Sequence, residues 1–277
     1  MFKKLEPAVS GIDMVHPLDI SHPLKRLYDA GFATGGAALG DVDGDGRIDI
    51  FLSSGPRDNR LYRQVAADDG SLRFEDVTQS AGVTGGGVWS AGAVMVDIEG
   101  DGDLDIHVCN YDAANQLFLN NGKGVFTEEA AQFGLAIKDA SLVPAFADYD
   151  NDGDLDCYLL TNRLYRDGGL PKKFPGRVVD GEVELLPGFE RYYRVSKRGG
   201  KTANLKVYGR PDYLLRNDGK GGFTDVTEEA GIFGDGLGNS VTWCDFNQDG
   251  FLDLYVANDG DDPDRLYANH GDGTFHD

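Results

Sequence analysis

Asp148-Tyr-Asp-Asn-Asp-Gly-Asp-Leu-Asp156 decides how this chain is read, because the same nine-residue pattern occurs four times. The other copies are Asp41-Val-Asp-Gly-Asp-Gly-Arg-Ile-Asp49, Asp97-Ile-Glu-Gly-Asp-Gly-Asp-Leu-Asp105 and Asp245-Phe-Asn-Gln-Asp-Gly-Phe-Leu-Asp253. An oxygen-bearing side chain stands at positions 1, 3, 5 and 9 of every copy, with Gly at 6 and an aliphatic residue at 8. These residues are Asp41, Asp43, Asp45 and Asp49; Asp97, Glu99, Asp101 and Asp105; Asp148, Asp150, Asp152 and Asp156; and Asp245, Asn247, Asp249 and Asp253. Oxygen ligands at alternate positions around a sharp Gly turn suit a hard cation of calcium's size. Position 7 is Arg47, Asp103, Asp154 or Phe251. Neither Arg nor Phe offers a side-chain oxygen, so the ligand common to all four copies there is expected to be the backbone carbonyl. Two carboxylates about 4 Å apart repel by about 4 kcal/mol at an effective dielectric near 20. Such a loop is costly to fold empty and favourable to fold around a divalent ion. Four structural calcium ions are expected, one per loop.

These loops are not EF-hands, which close with a bidentate Glu at position 12 between helices. Here position 12 is Leu52, Val108, Leu159 or Val256. Positions 8, 10 and 12 form an apolar face with the period of two that marks a half-buried strand. Short apolar runs such as Ala91-Gly-Ala-Val-Met-Val and Ser240-Val-Thr-Trp-Cys precede the loops. Each loop is therefore expected to join two strands.

A second unit recurs between the loops: Asn-x-Leu-Tyr or a close variant, a Gly-rich turn, then a Phe-led segment ending in Gly. Its Phe stands at 2, 74, 126, 223 and 275, and Gly follows at 11, 82, 134 and 231. Asn/Asp-Gly between apolar runs signals a hairpin, so one module supplies four strands. Loop starts lie 56, 51 and 97 residues apart. The third strand opens 18 residues after the loop start in modules one and two, at Asn59 and Asn115, and 19 after it in module four. In module three Asn162-Arg-Leu-Tyr follows after only 14 residues and Asp212 after 64. If Asp212 opens the true third strand, 46 residues are inserted and the normal spacing of 51 returns. Asn162-Arg-Leu-Tyr is then a decoy, and residues 163–210 are an insertion. Joining Asn162 to Pro211 by a short turn restores the spacing, so the insertion is expected to be dispensable for folding.

Four-strand repeats of about 40–50 residues indicate an all-β propeller whose blades each carry a metal loop. At 277 residues the repeats run nearly end to end, as one domain. With 26 basic and 47 acidic side chains the net charge is −21, which makes nucleic acid and anionic membrane poor partners. Four calcium ions would bring that charge to about −13, and fifteen of the acids lie at loop ligand positions. No apolar segment suited to membrane insertion is present, and Met1-Phe-Lys-Lys-Leu-Glu-Pro lacks a signal-peptide core.

The insertion is basic: residues 166–210 carry eleven Lys/Arg against five Asp/Glu. Arg191, Tyr192, Tyr193 and Arg194 are its candidates for a partner surface. Cys109, Cys157 and Cys244 share no motif spacing and read as buried or half-buried thiols. His107 alternates out of the apolar face of its strand and reads as a surface histidine. Trp89 and Trp243 precede metal loops and read as packing between blades.

The loops, the Asn-x-Leu-Tyr strand and Phe74-Glu-Asp-Val-Thr…Ala81-Gly-Val together resemble the FG-GAP/VCBS-type calcium-loop repeats of integrin α-subunit propellers. The nearer likeness is to bacterial relatives of the cartilage acidic protein family, which often carry a C-terminal ASPIC/UnbV domain. The resemblance implies a ring of about seven blades, of which four are visible. It therefore implies an incomplete ring, with further blades and an ASPIC/UnbV-like domain beyond Asp277. It also implies secreted, periplasmic or cell-surface adhesion or recognition of a protein or glycan, without catalysis. Millimolar calcium outside cells suits loops of this kind. The competing reading is a carbohydrate-active enzyme of lyase or hydrolase type, with a loop calcium acting as Lewis acid. A calcium sensor is disfavoured, because strands flanking each loop offer no hinged helix pair.

Overall fold

The computed structural model describes residues 4–277 apart from 17, 32, 170, 181, 199–201 and 261. Phe2, the first of the recurring phenylalanines, lies outside the described residues. Four antiparallel four-stranded blades follow one another along the chain, the second and third joined into one eight-stranded sheet where Tyr111–Ala114 pairs with Lys138–Ala140. Blade one holds β1 (Ala37–Gly40), β2 (Asp49–Leu52), β3 (Arg60–Val65) and β4 (Arg73–Asp76). Blade two holds β5 (Ser90–Val96), β6 (Asp105–Ala114), β7 (Gln116–Asn120) and β8 (Phe126–Glu128). Blade three starts with β9 (Lys138–Ala147) and β10 (Asp156–Thr161). Two hairpins intervene, β11 (Gly176–Val179) with β12 (Glu182–Leu185), and β13 (Tyr193–Arg198) with β14 (Thr202–Val207). The blade then resumes with β15 (Tyr213–Asn217) and β16 (Phe223–Asp225). Blade four holds β17 (Gly238–Cys244), β18 (Asp253–Asn258), β19 (Arg265–Asn269) and β20 (Phe275–His276).

The inner strands pack in series, β1 on β5, β5 on β9 and β9 on β17, so the blades form an arc. This is an all-β, propeller-type architecture. The period of two now has a physical meaning on both faces of each blade. In blades one to three position 11 points to the following blade, and in blades two to four positions 10 and 12 point to the preceding one. Phe51 and Leu61 of blade one accordingly bury against Ile106, Val108 and Phe118 of blade two. Tyr158 of blade three meets Trp243 of blade four edge-on, with ring centroids 6.3 Å apart. His107 occupies the same position in blade two. It is buried, edge-on to Phe146 of blade three at 5.8 Å, not at the surface as its alternation suggested. A face opposite the apolar one meets water in a half-buried sheet, but another blade in a stacked one. Burial also holds the His107 imidazole well below its usual pKa, at about 4, and hence neutral. Cys109 and Cys157 are buried as expected, whereas Cys244, at the end of β17, is exposed, contrary to its expected burial.

A helical turn follows strand four and ends on a Gly in the left-handed region, Gly82 and Gly134 having φ of +82° and +74°. A Cβ at Gly134 would sit 2.5 Å from the carbonyl oxygen of Phe223, on the next blade's fourth strand. Gly82 meets Phe126 and Gly231 meets Phe275 in the same way, which explains why Phe and Gly recur together. Only a residue without Cβ allows this approach. The N-terminal segment packs on the outer strands of blade one, while Leu39 and Ile48 on the blade's inner part stay exposed. Its Asp13 accepts a hydrogen bond from the buried Tyr62 hydroxyl at 3.0 Å, and its Gly11 lies against Phe74. No helix is long and apolar enough to cross a membrane among the described residues.

Candidate metal centres on the blade loops

Every loop runs from the first to the second strand of its blade, and position 9 pairs with the residue before position 1. The pairs are Gly40 with Asp49, Val96 with Asp105, Ala147 with Asp156 and Cys244 with Asp253. Within that closure the same hydrogen bonds repeat. The position-1 carboxylate accepts from the backbone N–H groups of positions 5 and 6, as when Asp97 takes Asp101 N at 3.1 Å and Gly102 N at 3.0 Å. Asp41, Asp148 and Asp245 do likewise. The position-5 carboxylates of Asp45, Asp101, Asp152 and Asp249 each accept from the N–H of position 7. These bonds wind the loop into a tight coil and aim its oxygens inward.

Position 9 does something the spacing did not reveal. Asp49, Asp105, Asp156 and Asp253 are all buried. One oxygen of each accepts the N–H of position 2, from Val42, Ile98, Tyr149 and Phe246 at 3.0–3.3 Å. The other accepts the N–H of a residue on the third strand, from Gln64, Asn120, Asn217 and Asn269 at 2.8 Å. Position 9 thus staples its loop to its own blade. Burial raises the pKa of Asp105 and Asp156 to about 7, aided by neighbouring loop carboxylates and opposed by the backbone donors. Asp49, Glu99, Asp103 and Asp150 are raised for the same leading reason, desolvation, with added repulsion from other acids in their loops. A bound cation would offset both causes by stabilising the ionised carboxylates.

The carboxylates of Asp41, Asp43 and Asp49 bring one oxygen each within 4.8 Å of one another, as do those of Asp148, Asp150 and Asp156. Oxygens about 2.3–2.6 Å from a common calcium ion lie at such separations. The Oδ1 atoms of Asp43, Asp103 and Asp150 are buried yet accept no hydrogen bond. A buried anionic oxygen without a donor is costly, and a cation would satisfy each one. The residues therefore fit calcium, and Asp103 Oδ1 would be a further side-chain ligand in loop two. The loops are not equivalent. Arg47 pairs with Asp45 in loop one, and its Nε donates to Gln64 O at 3.1 Å. In loop four Asn247 donates to Asp249 Oδ2 at 2.9 Å, and one charge fewer is available. Asp154 and Phe251 at position 7 approach the hairpin glycines Gly219 and Gly271 of their own blades.

The basic insertion places its four candidates differently. The Tyr193 ring is buried and its hydroxyl donates to Gly169 O at 3.2 Å. Tyr192 packs against the main core, and Arg191 pairs with Asp112 of β6. Arg194 is exposed, its guanidinium 3.5 Å from the centre of the Tyr208 ring. Arg191 and Tyr192 thus hold the insertion to the body, and Tyr193 is buried within it. Sequence reading missed Asn120, Asn217 and Asn269. Their signal was an Asn 23 or 24 residues after the loop start in blades two and four, just before the hairpin turn.

A model of the FG-GAP-like repeat matches residues 41–108, 97–159, 205–256 and 245–277. The chain belongs to the FG-GAP-like repeat family. Three of the matches begin at the first, second and fourth loops, and the other begins just before blade three resumes and ends in the second strand of blade four. Cartilage acidic protein 1 of Xenopus tropicalis is 27% identical over 226 residues, covering 80% of this chain and 28% of that protein. The Homo sapiens protein of the same name is 26% identical over 274 residues, covering 93% of this chain and 35% of its own. The chain thus spans about a third of the length of these relatives. One solved structure, on recognition of non-reducing terminal N-acetylglucosamine by an Agrocybe aegerita lectin, aligns at TM-score 0.36 and 20% identity. That alignment covers 88% of this chain and 65% of the other, and is too loose to carry an argument.

Proposed function

We propose that this FG-GAP-like repeat chain is a non-catalytic binding scaffold, held together by one calcium ion in each blade loop and working outside the cytoplasm. The observation that carries the reading is the convergence of three carboxylates in loops one and three around buried oxygens that accept no hydrogen bond. Calcium would neutralise the clustered charge and bridge positions 1, 3, 5, 7 and 9. The residues themselves close the coil and tie it to the blade through position 9. Membership of a repeat family supports a scaffold in preference to an enzyme. The relatives are named for cartilage, an extracellular tissue, which supports the compartment. The partner is a protein or glycan.

Metal analysis after dialysis against about 1 mM calcium should give close to four ions per chain, and chelation should lower the melting temperature. Asp101→Ala and Asp249→Ala should each lose one ion, and loop four should be the weakest site because Asn247 replaces a carboxylate. A chain that melts identically with and without chelator would sink the reading. Binding to glycan and protein arrays, compared with and without calcium, identifies the partner class.

A further inference from the structure

Asn120, the last residue of β7, uses all of its hydrogen-bonding capacity at the seam between two loops. Its backbone N–H donates to Asp105 Oδ1 at 2.8 Å, in its own blade's loop. Its side-chain Nδ2 donates to Leu104 O at 3.0 Å and to Val42 O at 2.8 Å. Its Oδ1 accepts from Asn121 N at 2.9 Å and Gly124 N at 3.0 Å in the hairpin turn. A carboxamide has two donors and one double acceptor, and all are filled. Val42 is position 2 of the preceding blade's loop, and its carbonyl belongs to the peptide that carries Asp43. The Val42 N–H is held by Asp49 Oδ2 at 3.0 Å, so residue Val42 is pinned through its N–H by its own blade and through its carbonyl by the next.

Blade four repeats the junction. Asn269 donates through its N–H to Asp253 Oδ1 at 2.8 Å, and through Nδ2 to Leu252 O at 3.0 Å and Tyr149 O at 2.9 Å. Tyr149 precedes Asp150 as Val42 precedes Asp43. Asn217 in blade three breaks the pattern, since its Nδ2 donates to Leu155 O of its own blade at 3.2 Å and makes no bond to loop two. Loops one and three, whose position-2 carbonyls the next blade holds, are the loops whose carboxylates converge among the described residues. Both also leave the position-3 Oδ1 buried without a donor.

We infer that Asn120 and Asn269 are positioning residues that couple calcium sites across the blade seam, linking loop one with loop two and loop three with loop four. This rests on the calcium reading above. Ordering one loop fixes the Asn, and the fixed Asn sets the carboxylate-bearing peptide of its neighbour. Loops two and three have no such link.

The position-6 glycine amides (Gly46, Gly102, Gly153 and Gly250) report each loop separately in an amide NMR titration with calcium. Asn120→Ala should weaken the midpoints at both Gly46 and Gly102, by about two- to tenfold for a lost hydrogen bond. Asn269→Ala should weaken Gly153 and Gly250 together, whereas Asn217→Ala should weaken Gly153 alone. Asn120→Gln keeps the backbone bond to position 9 and matches Gln64 of blade one. It carries the same expectation at Gly46 if the Ala variant does not fold. An Asn120 variant that shifts Gly102 only would overturn the coupling. Wild-type protein with no calcium-dependent shift at any of the four glycines would refute the calcium reading itself, a separate outcome.

Discussion

A single side chain shows how position within the blade, more than residue type, decides chemistry. Asp212 occupies the place that Asn59 and Asn115 hold in the first two blades, accepting the N–H of the residue thirteen after the loop start. Its Oδ1 takes Thr161 N at 2.7 Å and its Oδ2 takes the Tyr158 hydroxyl at 2.8 Å. Burial nonetheless raises its pKa to about 7, with the two hydrogen bonds opposing and Asp235 adding a little repulsion. The unfolded value is near 4, so the folded state holds the proton more tightly. The stabilisation is complete below about pH 4 and is lost as pH rises through about 7. Asp212→Asn has no such proton to lose and can donate to the Tyr158 oxygen. In calcium-saturated protein its melting temperature should exceed that of the wild type at pH 8, with the advantage shrinking towards pH 5. Equal differences at both pH values would contradict this assignment.

Among the elements, the insertion divides into two parts with different roles. Its ends meet, Arg163 bridging Gly209 and Arg210 N donating to Asn162 O at 2.6 Å. Leu164 and Tyr193 are buried, and the Tyr111 hydroxyl of blade two donates to Arg163 O at 2.8 Å. Excising all of 163–210 would uncover that core, so the expectation that the whole insertion is dispensable needs narrowing. The β11–β12 hairpin is different: Val178 is 71% exposed and Leu186 N already reaches Pro175 O at 2.8 Å. Replacing residues 176–185 by a two-residue turn should leave stability within about 0.5 kcal/mol, as for surface changes in general. Removing 163–210 should lower the melting temperature clearly. Calorimetry on both deletions separates the outcomes, and equal losses would mean the hairpin also packs on the body.

On the scale of the whole molecule, three of the four blades have their position-11 face covered by a neighbour. On blade four the equivalent face is open: the paired Tyr255 and Leu266 are 40% and 44% exposed, and Phe246 and Phe233 are exposed as well. Exposed apolar surface of this kind promotes association. This chain in solution should bind an apolar-surface dye and self-associate, and Tyr255→Lys with Leu266→Lys should reduce both. A monodisperse wild-type monomer that binds no dye would argue against this exposure.

The four acidic loops, the strands on either side and the displaced third strand of module three were all legible in local residue patterns. Gly turns, period-two alternation and fixed spacing are short-range properties, and they also predicted the carboxylates that converge in loops one and three. Which faces are dry was decided only by the tertiary structure. Alternation tells which residues share a face and nothing of what covers it, so His107 read as exposed and is buried between blades. The Asn junctions escaped for the same reason. Asn120 and Val42 are 78 residues apart, and Asn269 and Tyr149 are 120. Only the stacking of consecutive blades brings those amides to their carbonyls.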